Sequence, residues 1–102
     1  MITIERVKLK IIGLIWTDKT IEKLVQKHNV QQDEVHEVFG GNPKFRFVEK
    51  GFYPNENVYA ALGRSKAGRF LILFFIYKKN KHALIISARD MTGAERKKYE
   101  QQ

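Results

Sequence analysis

The chain has 102 residues, enough for one compact domain that buries most of the surface its unfolded form exposes, and it has no cysteine. Disulfides, thiolate catalysis and Cys-ligated zinc are therefore excluded. The formal charge of +8 is unevenly placed: residues 1–40 hold six basic and six acidic residues, whereas residues 41–102 hold thirteen and five, so the later part carries the whole excess. Such a field attracts polyanions, nucleic acid first and an acidic protein second, with a merely soluble basic surface as the plain alternative.

In chain order, residues 2–11 alternate loosely (Ile2, Ile4, Val7, Leu9, Ile11) and predict a strand or leading hairpin, so residues 1–15 read as an extra N-terminal piece on a single domain spanning 1–102. The apolar runs Ile11–Trp16 and Phe70–Tyr77 are shorter than a signal or membrane segment, which points to a cytoplasmic protein with no membrane contact. Thr17 and Asp18 are both good N-caps, and Ile21, Leu24, Val25 and His28 follow at helical spacing. Val35, Val38 and Phe39 continue into a second short helix, stopped by Gly40, Gly41, Asn42 and Pro43.

The remainder reads as strands over 44–50, 58–64, 69–77 and 81–89. Ser65–Gly68 and Lys78–Asn80 have the length and chemistry of hairpin loops, which makes the strands an antiparallel meander. The run "RFLILFFIY" is too apolar for one wet face, so both of its sides should be covered, at least partly by helices. Thr92, Gly93, Ala94 and Glu95 fit a capping box that starts a last helix at about Gly93. The expected architecture is α+β: a twisted antiparallel sheet with two short N-terminal helices and a C-terminal helix.

Arg89 ends the last strand just before that box, where an arginine either clamps a carboxylate of its own fold, Glu95 or Asp90, or meets a phosphate from outside. The stretch around it, "IISARDMTGAERKKYE", resembles the closing signature of the BrnT-like toxins. Trp16 with Asp18, Lys27-His28, Val35–Phe39 and "YAALGRSKAGRFLILFFIY" occur in the same order, so the resemblance covers residues 16–100. It implies a ribonuclease toxin of a type II toxin–antitoxin pair on the compact RelE-like fold. Its partners would be RNA and a cognate DNA-binding antitoxin, through which the toxin would dimerise. The sequence departs from the family pattern at Thr17, Leu24, Asn29 and Val58. The first three are changes of cap and turn, since Asn29 tolerates the left-handed conformation that glycine would supply. Val58 stands where relatives often carry an arginine; if that arginine contacts RNA in them, this chain is either a weaker nuclease or uses Arg64 or Arg69 instead.

The residues fit a metal-independent, cofactor-free hydrolase, because no Asp/Glu/His cluster occurs at ligand spacing and RNA supplies its own 2′-hydroxyl nucleophile. Arg64 and Arg89 are the candidates for stabilising the phosphorane charge, and His28 and Tyr59 complete the candidate catalytic set. Tyr77 and Glu95 are further acid or base candidates. Arg46, Lys27, Arg69 and Lys44 are the expected RNA-binding residues. Each has a plainer role: His28 facing helix-end carbonyls, Tyr59 and Tyr77 packing, Lys27 solvated, Phe45 and Phe47 as core rather than base-stacking groups. A non-catalytic nucleic-acid- or antitoxin-binding module, such as a decayed toxin, is the alternative; a structural adaptor fits the charge asymmetry less well.

Overall fold

The computed structural model describes residues 7–101. Along the chain run β1 (Gly13–Ile15), α1 (Asp18–His28), α2 (Gln32–Gly40), β2 (Lys44–Glu49), β3 (Val58–Arg64), β4 (Phe70–Tyr77), β5 (His82–Asp90) and α3 (Gly93–Gln101). The fold class is the expected α+β, with five strands in the order β1-β5-β4-β3-β2.

Local chemistry explains the helices. The Thr17 hydroxyl accepts from the Thr20 amide at 3.2 Å and caps α1, and Asn29 ends it at φ 52°, ψ 41° in the left-handed conformation. For α2 the Gln31 amide donates to Glu34 Oε1 at 3.0 Å. The α3 capping box forms as the sequence predicts: the Glu95 amide donates to Thr92 Oγ1 at 3.1 Å, and the Thr92 amide to Glu95 Oε1 at 2.9 Å.

Strands β2 to β5 form the antiparallel meander, with turns that hold Gly68 at φ 91° and Lys81 at φ 67°. The N-terminal strand differs from expectation. Of the stretch 2–11, residues 1–6 lie outside the described part, and within 7–11 only Val7 pairs, as an isolated bridge to Phe45. The strand that forms is β1, and it runs parallel to β5, so the sheet is mixed. Gly13 is needed there, since a Cβ would sit 2.9 Å from the His82 ring.

The sheet has two unlike faces. On one, α1 and α2 bury Leu24, Val30, Val35 and Val38 against Ala61, Leu71, Leu73, Phe75, Ala83, Ile85 and Ala88. On the other, Ala60, Leu62 and Ile72 make a smaller cluster with Phe74, Met91 and Tyr99, the last brought by α3. The central strand is thus covered on both sides, by α1 and α2 on one and at one end by α3 on the other. Between Phe74/Ser87 and Phe75/Ile85 the register slips, leaving Ile86 as a bulge, and Lys23 of α1 donates to its carbonyl at 2.9 Å.

Candidate nucleic-acid interface

Strand alternation and register decide which candidate residues meet. Lys44, Leu62, Ile72 and Arg89 form one row across the sheet; Arg46, Ala60, Phe74 and Ser87 form the next; Arg64 pairs with Phe70 beyond them. Leu62, Ile72 and Ala60 belong to the cluster under α3, so Lys44, Arg46, Arg64 and Arg89 share that face. Four of the eight expected residues therefore come together.

Arg89 holds Glu95 fork to fork, Nη1 to Oε1 at 2.7 Å and Nη2 to Oε2 at 3.0 Å, over the Phe74 ring at 5.6 Å. Those hydrogen bonds from Arg89, helped by those from Thr92, hold the Glu95 carboxyl down at about 2, and the pairing raises the Arg89 pKa. The Arg46 Nε is buried and has no hydrogen-bond partner among the described residues. Arg64 is exposed and lies over Phe70, 4.6 Å from the ring centroid. Lys44 donates to the Tyr99 carbonyl in the last turn of α3 and sits 4.6 Å over the Tyr99 ring, tying that helix to β2.

The other four lie on the α1/α2 side. Tyr59 packs beside Phe75 and Tyr77 in the larger core, with Phe45; Phe47 meets the Tyr59 ring edge-on but is 50% exposed, so it lies at the margin and is not the core group the sequence suggests. The Tyr59 side chain thus points to the face opposite the one shared by Lys44, Arg46, Arg64 and Arg89. Lys27 is exposed on α1. Arg69 is a hub rather than an open cation: its guanidinium donates to Asp90 (2.7 and 3.1 Å), Glu34 (3.1 and 3.2 Å) and the carbonyls of Asn29 (2.7 Å) and His28 (2.9 Å). All five of its N–H groups are spent on tying α1, α2 and β5 together. Its hydrogen bonds keep the Asp90 carboxyl below its usual range, and the His28 carbonyl among its acceptors places that residue at this hub. Tyr77 donates to the Lys10 carbonyl at 2.8 Å.

Phe70, Arg96 and Tyr99 stand beside the cationic face. Phe70 lies under a second guanidinium, that of Arg96, at 3.9 Å, and meets the Tyr99 ring edge-on at 6.0 Å. Nothing local flags this, because Phe70 reads as core and Arg96 as a solvated helix residue. Among the described residues no group of three or more His, Asp or Glu side chains comes together as a metal site, and no helix is long and apolar enough to cross a membrane.

A family model described as the ribonuclease toxin, BrnT, of type II toxin–antitoxin systems matches residues 16–95. The chain belongs to this family. The match runs from Trp16, ahead of α1, to Glu95, and so includes the whole cationic sheet face and the Arg89–Glu95 pair. Membership makes RNA the substrate class and an antitoxin the partner. No curated protein gives a match that would refine the assignment.

Proposed function

We propose that this BrnT-family chain is a metal-independent endoribonuclease that cuts RNA on the sheet face bearing Lys44, Arg46, Arg64 and Arg89. The observation that carries the reading is the convergence of these cations on one face, where the Arg46 Nε has no partner among the described residues. A buried donor without an acceptor is costly, and a phosphate oxygen would satisfy it. Arg89 presents to Glu95 the planar fork that also fits a phosphate. Exchange of Arg89 from carboxylate to phosphate would release Glu95, whose pKa would rise towards its usual value, leaving a base able to take the 2′-hydroxyl proton.

The 2′-oxygen then attacks phosphorus as the bond to the 5′-oxygen breaks, and a proton reaches that leaving oxygen. The products are a 2′,3′-cyclic phosphate and a 5′-hydroxyl. Preorganised guanidinium groups stabilise the added charge of the phosphorane. This reading moves the base from His28 and Tyr59, which lie on the α1/α2 side, to Glu95.

The test is cleavage of RNA by the purified chain in excess chelator, with end-group analysis, beside Arg46→Ala and Arg89→Lys and their melting curves. Loss of cleavage by both variants with the fold retained supports the reading; undiminished cleavage by both refutes it. The second reading, a nucleic-acid- or antitoxin-binding module without activity, is favoured by one observation, the occupation of the Arg89 fork by Glu95. RNA binding by the wild type without any cleavage would select it.

A further inference from the structure

Beside the cationic face, the end of the β3–β4 hairpin and the last turns of α3 enclose an open hollow of about 560 Å³, lined by Lys44, Arg64, Phe70, Arg96, Tyr99 and Glu100. That volume is in the range of small-molecule sites. Its walls combine two rings at 80° to each other with three cations against one carboxylate. We infer that this hollow is a nucleotide subsite for single-stranded RNA, taking a base against Phe70 and Tyr99 and its phosphate on Arg64 and Arg96, with Lys44 adding charge. The inference rests on the RNA reading above and adds where a nucleotide beyond the reacting phosphate is held.

Internal structure makes little use of the two arginines. Among the described residues Arg64 forms no ion pair, and its guanidinium covers Phe70. Arg96 pairs with Glu100 at 2.7 Å, but both side chains are more than half exposed, at 56% and 53%, and a pair of that kind holds its members weakly. Two guanidinium planes lie on Phe70, at 4.6 and 3.9 Å. An incoming base can displace one of them, exchanging a cation–π contact for ring stacking and freeing the guanidinium to meet the phosphate of the same nucleotide. An acidic peptide would use the charges but leave both rings without a planar partner, so RNA is the better fit. Arg64 and Phe70 stand at the sheet position next to the row holding Arg89, which makes the hollow continuous with the proposed cleavage face.

The test uses a labelled RNA hexamer with 2′-O-methyl groups throughout, which can bind but cannot react. Fluorescence anisotropy is read for the wild type, Arg96→Ala, Tyr99→Leu and Arg64→Ala, with circular dichroism as a fold check. The Arg64 variant lies outside α3 and reports on the hollow even if substitutions in the helix loosen it. Each variant should weaken binding about 5- to 50-fold, the scale of one lost stacking platform or phosphate contact. Tyr99→Leu should cost nothing further on a hexamer of abasic sites, because the ring recognises only the base. Unchanged affinity in Arg64→Ala and Arg96→Ala, an equal Tyr99→Leu loss on the abasic strand, or tighter binding of a glutamate-rich peptide than of the hexamer would each overturn the inference. Absence of cleavage of unmodified RNA, with these binding losses intact, removes the nuclease reading and supports the subsite.

Discussion

Replacing Glu95 by Gln removes one charge while keeping a side-chain oxygen that can still close the capping box on the Thr92 amide. A carboxyl drawn from 4.5 to about 2 corresponds to an upper limit of roughly 3.4 kcal/mol at 1.36 kcal/mol per pH unit. The Arg89 and Glu95 side chains are 34% and 22% exposed, so solvent screening reduces this to about 1–2 kcal/mol. For a domain of this size that is a fall in melting temperature of roughly 4–16 °C at pH 7. The folded-state pKa lies below the unfolded one, so the stabilisation is fully present above about pH 5 and is lost as pH falls through 4.5 towards 2. Thermal melts of both proteins at constant ionic strength from pH 7 to pH 2 should therefore show a gap that closes on acidification. A gap that persists unchanged at pH 2, or no gap at pH 7, would refute the assignment of this stability to the Arg89 pair.

Arg69→Met should cost about 2–4 kcal/mol, because it leaves Glu34, Asp90 and two carbonyls without their shared donor, and Arg69→Lys should restore less than half, as one ammonium cannot span four partners; urea unfolding measures both. Lys23→Met should cost about 1 kcal/mol through the lost bond to the Ile86 bulge, with faster hydrogen exchange in the middle of β5 as the local signature. Gly51→Ala should rearrange the β2–β3 loop, since the new Cβ would fall 1.8 Å from the Glu56 carbonyl oxygen, whereas Phe52→Ser next to it, at a side chain 95% exposed, should leave the melting temperature within about 2 °C. Arg46→Ala should reduce the slope of log affinity against log salt for RNA by about one, and an unchanged slope would show that Arg46 contacts no phosphate.

What the sequence determined by itself about this protein is local. The caps at Thr17 and Asn29 and the box of Thr92 with Glu95 are interactions over a few residues, visible wherever the residue types stand at the right spacing. The four later strands and their turns are legible for the same reason, from β-branched and aromatic runs interrupted by Ser65–Gly68 and Lys78–Lys81. The charge asymmetry and the toxin resemblance are also properties of the chain order alone. The three-residue β1 has too few side chains to show a period, and its parallel pairing with β5 joins residues about seventy positions apart. Site membership was decided the same way. Alternation says that Tyr59 and Ala60 point oppositely, but only the packed helices decide that Tyr59 faces α1 and α2 while Arg46, Arg64 and Arg89 face α3. Arg69 and Arg89 look alike as arginines at strand ends. The first is bound up by partners from positions 28, 29, 34 and 90, and the second by Glu95 six residues on. An arginine's role depends on which acceptors surround its fork, and for Arg69 those acceptors converge only when α1, α2 and β5 close over the sheet.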